Sequence, residues 1–358
     1  MVSLYDLDRA GLADLLDGEP RYRVDQLWRG IWVEGRPLAD VTTVPARLRS
    51  SLAERFPPSL RARADVASEH GATRKWVFEL ADGATIETVL MVYRDRVTVC
   101  VSSQAGCAMG CTFCATGQAG FTRQLSVGEV VEQVLVATWS AAPRRLSNVV
   151  FMGMGEPLAN YPVTVEVVRR LHEARGLSAR HLTVSTVGVV PGIERLAREG
   201  LPLTLAVSLH AANDETRDSL VPLNRRYPLQ RLYEACETWI GATGRRLSFE
   251  WALIDGVNDT DRARDELVAY ASGLRAHVNL IPLNPTPGYL VRGSSPERVG
   301  AFRDGLIARG VNATVRNTRG RSIEAACGQL AAVTNARRSL VVRSRPAVAP
   351  EGRSPAHE

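Results

Sequence analysis

The sequence has few cysteines and no long hydrophobic run. Its 358 residues include six cysteines, which are too sparse for the disulfide framework of a small secreted domain. No apolar segment reaches the roughly 20 residues that a membrane-spanning helix requires. Asp6, Asp8 and Arg9 do not fit the start of a secretory signal peptide. We therefore expect a cytoplasmic protein with reduced cysteines and no membrane contact.

Lysine is almost absent, and arginine carries nearly all of the positive charge. The formal net charge is +6 at pH 7 and the sequence pI is about 9.2. Arginine suits phosphate forks and base stacking, and pairs such as Arg225-Arg226 recur along the chain. This composition gives modest support for a polyanionic partner. A basic protein without such a partner has the same composition.

Three clustered cysteines have no fourth ligand beside them in the sequence. Cys107, Cys111 and Cys114 form a C-x-x-x-C-x-x-C run directly after an apolar stretch. A structural zinc site closes with four ligands. Three thiolates can instead hold a four-iron, four-sulfur cluster and leave one iron open to a small molecule. The spacing therefore predicts a catalytic iron–sulfur site.

Hydrophobic periodicity divides the chain into four segments. Residues 1–60 have the apolar spacing of helices and predict a small helical module. Residues 61–95 alternate polar and apolar positions around Asp82-Gly83, which predicts a short β extension with a hairpin. Residues 96–336 alternate strands with helices and predict an α/β core built as a partial parallel barrel. Residues 337–358, rich in proline and arginine, are predicted to form a disordered tail.

Unusual residues follow the ends of the predicted core strands. The six strands are predicted at residues 97–102, 148–152, 182–186, 203–209, 248–253 and 278–283. In such barrels the carboxyl ends of the strands carry the chemistry. Besides the cysteines, these ends hold Gly155, Glu156, Ser185, Ser208, Leu209, His210 and Asn284. Glycine lets the backbone approach a ligand, and Glu156 could accept an ammonium group. Each alone is more often a turn or a satisfied polar residue, but together they predict one ligand site.

Local motifs resemble those of known enzymes. The run Cys107-Ala-Met-Gly-Cys111-Thr-Phe-Cys114 is similar to the cluster motif of radical S-adenosylmethionine (SAM) enzymes, and Gly153-Met-Gly-Glu-Pro157 is similar to their SAM-binding strand end. More narrowly, residues 100–107, 151–158, 207–210, 278–285 and 325–330 resemble the RlmN/Cfr family of RNA adenine methyltransferases, over roughly residues 20–335. The resemblance is greatest to the dual-specificity branch, which methylates carbon 2 of adenine in 23S rRNA and tRNA.

The resemblance implies a fold and a set of cofactor ligands. It implies a partial (β/α)6, TIM-like radical SAM barrel in which Cys107, Cys111 and Cys114 hold a [4Fe–4S] cluster. It assigns SAM contacts to Gly155, Glu156, Ser185, Ser208, Leu209, His210 and Asn284. Phe113 is implied to pack against the adenine of SAM, although a core aromatic would look the same in sequence. A core histidine is likewise the alternative for His210.

The resemblance also implies how the methyl group moves. One SAM methylates Cys327, and a second is cleaved to a radical that takes hydrogen from the S-methyl group. The methylene radical adds to the electron-poor carbon 2 of adenine, Glu87 removes the ring proton, and Cys100 resolves the adduct by forming a disulfide with Cys327. A surface glutamate is the alternative for Glu87. We expect Cys236 to be only a small buried hydrophobe.

The resemblance and the composition together predict binding partners, and three competing functions stay open. The helical module and the arginines are expected to bind 23S rRNA and tRNA. We expect an electron donor such as flavodoxin and its reductase, and a monomer is the simplest oligomeric state. One alternative is methylation at carbon 8 of adenine, and another is a radical SAM enzyme with a different substrate. A third is a zinc-dependent RNA-binding protein, in which His172, His181 or His210 would be the fourth zinc ligand. Asn317, Ser322 and Thr186-Val187 depart from the family pattern, which leaves the RNA contacts and the loop of Cys327 less defined.

Overall fold

The N-terminal region is helical. The computed structural model describes residues 3–68, 71–284, 286, 291–316, 323–325 and 328–330. Three helices come first: α1 (Arg9–Leu15), α2 (Tyr22–Trp28) and α3 (Ala46–Arg55). The side chain of Asp8 accepts a hydrogen bond from the Gly11 amide and so caps α1. Leu12 and Leu27 are fully buried on the inner faces of these helices, as their helical spacing predicts. The predicted boundary at residue 60 stays a prediction.

A three-stranded antiparallel extension follows. It comprises β1 (Arg61–Ala67), β2 (Thr73–Glu79) and β3 (Thr85–Val92). Glu79 pairs with Thr85 across the turn at Asp82-Gly83, where Gly83 has a φ of 84°. This is the hairpin that the sequence predicts, because Asp-Gly suits a tight turn with positive φ.

The core sheet is parallel and continues from this extension. Its strands after β3 are β4 (Val97–Cys100), β7 (Asn148–Phe151), β8 (Leu182–Thr186), β9 (Thr204–Ser208), β10 (Ser248–Leu253), β11 (His277–Pro282) and β12 (Ala313–Val315). They follow one another across the sheet in that order, and β3 pairs with β4. A separate ribbon pairs β5 (Gln104–Gly106) with β6 (Phe121–Gln124). All six predicted core strands are confirmed, whereas β5, β6 and β12 were not predicted.

Helices cover the sheet between successive strands. They are α4 (Ala115–Ala119), α5 (Val127–Ala141), α6 (Tyr161–Arg169), α7 (Val190–Ala197), α8 (Asp214–Leu220), α9 (Leu229–Thr243), α10 (Asp261–Gly273) and α11 (Pro296–Ala308). Ser126 and Glu129 form a capping box that starts α5, and Asn213 caps α8. Gly244 ends α9 with a left-handed φ of 64°. The alternation of strand and helix confirms the predicted α/β barrel class.

The segment that precedes α1 is bound to the core by polar contacts. Arg170, just after α6, donates to the carbonyls of Tyr5 and Leu7 at 2.9 and 3.1 Å. The side chain of Asp6 accepts from the Gly128 amide at the start of α5 at 2.6 Å. No helix in the described ranges is long and apolar enough to cross a membrane. The tail predicted at 337–358 lies outside the described residues.

Candidate active site

The three clustered cysteines line one cavity at the carboxyl ends of the strands. Cys107, Cys111 and Cys114 lie in the loop between β5 and β6 and are free thiols. The Cys107 amide donates to the Gly120 carbonyl at 2.7 Å, so the β5–β6 ribbon closes the base of this loop. Helix α4 begins directly after Cys114 and leads back to β6.

The cysteines fit a cluster better than a single metal ion. Within the ranges that the structure describes, no group of three or more histidine, cysteine, aspartate or glutamate side chains converges on one ion. In a four-iron cluster each thiolate binds a different iron, so its ligands need not converge on one point. Burial raises the pKa of Cys107 to about 12 and that of Cys111 well above its usual value. A bound metal centre would supply the positive charge that such thiols need in order to ionise.

Most of the predicted SAM contacts line the same cavity. Its empty volume is about 1050 Å³, including its open mouth. The predicted residues on its wall are Phe113, Gly155, Glu156, Ser185, Ser208, His210 and Asn284. Leu209 is fully buried and is not on the wall. Six of the seven predicted SAM contacts, all except Leu209, therefore lie on one cavity wall with the three cysteines, as the strand-end argument predicts.

Glu156 is a buried carboxylate at the end of β7. It is 2% exposed, and its two oxygens accept from the amides of Leu158 at 2.9 Å and Val187 at 2.8 Å. Burial raises its pKa to about 7, against the opposing effect of these hydrogen bonds. Described lysine and arginine side chains form no ion pair with it. A carboxylate held in this way favours an ammonium ligand.

Gly155 brings the backbone against the cysteine ribbon. Its φ is 99°, and a Cβ atom added there would lie 2.5 Å from the Cβ of Gln104. The Gln104 side chain in turn accepts from the Glu156 amide at 2.8 Å. Because only glycine combines this φ with this closeness, the Gly155 position fixes the turn that carries Glu156.

His210 is neutral and fixed in orientation. Its backbone has a φ of 60°, and its Nδ1 accepts from the Ala252 amide at 3.0 Å. Burial, with a smaller effect of Arg217, lowers its pKa to about 3. Since Nδ1 is an acceptor, the proton of the neutral ring is on Nε2. The Phe113 ring meets the imidazole edge-on, with centroids 4.6 Å apart. His210 is thus a hydrogen-bonded buried histidine that also lines the cavity.

Three further residues organise this site, and the sequence reasoning missed them. Arg217 is 1% exposed and donates to the carbonyls of Val187 at 2.7 Å and Leu209 at 3.0 Å, which ties the ends of β8 and β9 together. Glu250 and Arg316 line the cavity as an ion pair at 3.6 Å. A charged residue inside the apolar strand β10 was a usable signal for Glu250. Nothing in the sequence distinguishes Arg217 from the many exposed arginines.

Glu87 and Cys100 lie on one face of the sheet. Glu87 is 4% exposed, so the alternative reading as a surface glutamate is wrong. Thr88 donates to Gln133 of α5 at 2.8 Å, which places Glu87 and Val89 on the face away from α5. Val89 pairs with Cys100 across β3 and β4, and paired residues share a face. Neither Glu87 nor Cys100 is on the wall of the cavity, and their catalytic roles stay predictions.

The segment around the predicted methyl carrier is described only in part. Cys327, Asn317 and Ser322 lie outside the described residues. Gly328 and Leu330 line the cavity. The Ala115 amide donates to the Gly328 carbonyl at 2.8 Å, and the Thr116 hydroxyl donates to the Leu330 carbonyl. The residue that follows Cys327 in the sequence is therefore bound to the helix that follows the cysteine loop.

The other cysteine and histidine predictions can be placed directly. Cys236 is fully buried on α9, and burial raises its pKa to about 12, as expected of a packed thiol. His181 is exposed just before β8, at the opposite end of the strand from the cysteine loop. His172 bonds the Leu177 carbonyl through Nδ1 at 2.9 Å. These positions weigh against His172 or His181 as a fourth zinc ligand beside the three cysteines. His210 does line the cavity, but the described residues include no group of three or more ligands placed for one ion.

Similarity to known proteins agrees with this geometry. The family model of the radical SAM superfamily matches residues 101–267. A probable dual-specificity RNA methyltransferase RlmN from Parafrankia sp. is 53% identical over 88% of this chain and 87% of its own length. One from Salinispora tropica is 50% identical over 92% of each.

A solved structure extends the similarity to the fold. The crystal structure of a radical SAM methyltransferase from Sphaerobacter thermophilus has 51% identity and a TM-score of 0.90, over 93% of this chain and all of that one. Membership of the radical SAM superfamily implies a [4Fe–4S] cluster and SAM, which the cysteine loop and the cavity fit. With identities near 50% over most of both chains, the protein belongs to the RlmN family of radical SAM RNA methyltransferases.

Proposed function

We propose that this protein forms 2-methyladenosine in 23S rRNA and in tRNA, and that the methyl group passes through Cys327. The observation that carries the proposal is one cavity lined by Cys107, Cys111 and Cys114, by the Glu156 strand end, and by Gly328, the residue after Cys327. A carrier thiol beside both cofactors is what a two-stage methyl transfer requires. The family membership of the chain supports the same reaction.

The cavity residues have separate binding tasks in this proposal. The three cysteine thiolates hold the [4Fe–4S] cluster, and Glu156 binds the ammonium group of SAM. Ser185, Ser208 and Asn284 offer hydrogen bonds to the rest of the SAM methionine and ribose, and Phe113 packs beside its adenine. When bound, the reduced cluster supplies the electron for one-electron cleavage of SAM, and two SAM molecules are used for each methyl group delivered.

Three side chains then complete the transfer to RNA. The S-methyl carbon of Cys327, after loss of one hydrogen atom, bonds to carbon 2 of adenine. The adduct is a radical and must give up one electron, for which the oxidised cluster would be the acceptor, and Glu87 then takes the ring proton. The Cys100 thiolate attacks the Cys327 sulfur, the C–S bond breaks, and its electron pair goes to the methylated base, which takes up a proton. The resulting Cys100–Cys327 disulfide is returned to two thiols by a reductant.

The position of Cys100 supports its role as the resolving thiol. It is buried at the end of β4, on the same face of the sheet as Glu87 and apart from the three cluster cysteines. Cys100 is not on the cavity wall, so it lies outside the set of cysteines that would hold the iron–sulfur cluster. A flavodoxin-type donor and a monomeric enzyme complete the proposal.

Mass spectrometry of digested RNA tests the proposed product. Reconstituted protein, SAM and a low-potential reductant are incubated with 23S RNA and with tRNA that lack the modification. We expect 2-methyladenosine from the wild type and none from Cys327→Ala or Cys100→Ala. Cys236→Ala is the matched control, since Cys236 lies on α9 away from the site, and it should retain the activity. An 8-methyladenosine product would support the carbon-8 alternative. A protein that cleaves SAM without methylating either RNA would mean another substrate.

A further inference from the structure

One side chain next to Glu87 is unusual for this chain. Lys75, on β2, is the single lysine among 44 lysine and arginine residues. It is only 8% exposed. A buried ammonium is costly unless opposite charge and hydrogen-bond acceptors surround it. A sequence that uses arginine everywhere else therefore places its one compact ammonium in a buried position, where a point charge with rotatable donors fits.

Lys75 has two partners in two separate parts of the chain. Its Nζ lies 3.3 Å from Oε2 of Glu87, and both side chains are at most 10% exposed. The same Nζ donates to the Glu324 carbonyl at 3.1 Å. Glu324 has a φ of 51°, a left-handed conformation that a non-glycine residue adopts at some cost. Lys75 thus joins Glu87 to a turn three residues before Cys327.

The register of the sheet directs these groups to one face. Lys75 and Cys100 both pair with Val89, and Glu87 is two residues from Val89 on the same strand. From the neighbouring strands, Glu87 is therefore faced by Lys75 on β2 and by Cys100 on β4. The packed helix α5 meets the other face through Gln133. Among the described residues, Glu324 is the other ionisable residue that contacts Lys75, and its side chain is exposed.

We propose that Lys75 is a positioning residue for the proton transfer that Glu87 performs. This inference rests on the function proposed above. The ammonium keeps the Glu87 carboxylate ionised and oriented, and it fixes the turn at Glu324 relative to that carboxylate. When Glu87 takes the ring proton it becomes neutral, and its attraction to Lys75 falls. Proton transfer is thereby linked to the contact that anchors the segment leading to Cys327.

A double-mutant cycle tests whether Lys75 acts through Glu87. Lys75→Met, Glu87→Gln and the double variant are compared with the wild type in methyl transfer to RNA. Loss of a general base typically slows a reaction by about a hundredfold or more, and we expect Lys75→Met to slow it by about tenfold or more. The double variant should be no slower than Glu87→Gln. The double variant has no unpaired buried charge at this site. Its rate can therefore be compared with that of Glu87→Gln even if Lys75→Met alone folds poorly.

The pH profile separates an electrostatic role from a packing role. An opposite charge 3.3 Å away favours a carboxylate over the protonated acid. Lys75→Met should move the acidic limb of the rate profile to higher pH. Lys75→Arg keeps the charge and should leave that limb in place even if the maximum rate falls.

The single lysine also permits a readout that does not depend on activity. Protein made with lysine carrying ¹⁵N at Nζ has one labelled side chain, so its ammonium signal needs no assignment. We expect a protected signal in the wild type that shifts or broadens away in Glu87→Gln. Asp65→Gln, a change in an exposed carboxylate of β1 that pairs with Arg74, is the control and should leave the signal unchanged.

The outcomes distinguish this proposal from the function on which it rests. A wild type that does not methylate RNA overturns both. If the wild type is active, any of three results overturns the role of Lys75 alone. These are a Lys75→Met rate within threefold of the wild-type rate, additive losses in the double variant, and an ammonium signal that Glu87→Gln leaves unchanged.

Discussion

At the residue scale, the ionisation of buried groups decides what the cavity can bind. Glu156 and His210 are both buried, but burial acts on them in opposite directions. It raises the pKa of Glu156 to about 7 and lowers that of His210 to about 3, because in each case the charged form is disfavoured. A neutral imidazole and a carboxylate without an ion-pair partner among the described residues favour a cationic ligand over an anionic one.

We predict that Glu156→Gln weakens SAM binding. A charge-assisted hydrogen bond contributes about 1.5–3 kcal/mol, so the dissociation constant should rise by about 10- to 150-fold. Because the pKa of Glu156 is about 7 and the ammonium ligand prefers the carboxylate, wild-type affinity should increase as the pH rises through about 7. Glu156→Gln should remove this dependence. Calorimetric titration with SAM between pH 6 and 8 measures both effects.

The control for this prediction is Glu199→Gln, which changes a carboxylate that bonds Tyr161 and Arg169 outside the cavity. It should leave SAM affinity and its pH dependence unchanged. Equal affinity of Glu156→Gln and the wild type would mean that the ammonium group binds elsewhere.

At the element scale, the sequence predicted what periodicity can encode. The six core strands, the Asp82-Gly83 hairpin and helices such as α5 follow from apolar runs and turn residues. β5, β6 and β12 (QAG, FTRQ and ATV) are short and hold few large apolar residues, so they lack the apolar runs that reveal β4 and β7. The predicted strand ends placed Glu156 and His210 at one cavity, because parallel strands bring their carboxyl ends to the same edge of the sheet.

The contacts between elements were outside the reach of the sequence. The bonds of Arg217 to two strand-end carbonyls, and of Lys75 to Glu87 and Glu324, depend on register and on how distant segments meet. The sequence does not distinguish a buried charged side chain from an exposed one of the same type. The resemblance assigned Glu87 a role, but only the fold reveals that a lysine faces it.

We predict that Gly155→Ala destabilises the turn after β7. The left-handed backbone and the 2.5 Å approach to Gln104 leave no room for a methyl group. Strain and overpacking together should lower the free energy of unfolding by about 2–5 kcal/mol. Urea unfolding under anaerobic conditions measures this change.

Gly241→Ala is the matched control, since Gly241 lies in α9 and a Cβ there meets no atom within 4 Å. The higher helix propensity of alanine should raise its stability by up to about 1 kcal/mol. A Gly155→Ala protein as stable as this control would contradict the proposed need for glycine.

At the scale of the whole molecule, a basic surface has to bring a large polyanion to the cavity. The exposed pair Arg225 and Arg226 follows α8, whose last residue, Leu220, accepts a hydrogen bond from Thr112 in the cysteine loop at 3.1 Å. We predict that Arg225→Gln/Arg226→Gln weakens RNA binding equally across sequences. Each lost phosphate contact should reduce the slope of affinity against salt by about one.

Fluorescence anisotropy with labelled RNA at several salt concentrations tests this prediction. Arg262→Gln is the control, because Arg262 on the outer helix α10 pairs with Glu266. It should leave the salt slope unchanged. An unchanged slope in the double variant would place the RNA on another surface.

The most direct test of the account as a whole follows the hydrogen atoms of the methyl group. RNA is methylated with SAM that carries a fully deuterated methyl group, and the mass of the 2-methyladenosine product is measured by mass spectrometry. A carrier route through Cys327 removes one deuterium and later adds one solvent proton, so we predict a product that has lost one deuterium. A product that retains the intact deuterated methyl group, or one still formed by Cys327→Ala, would contradict the proposed route.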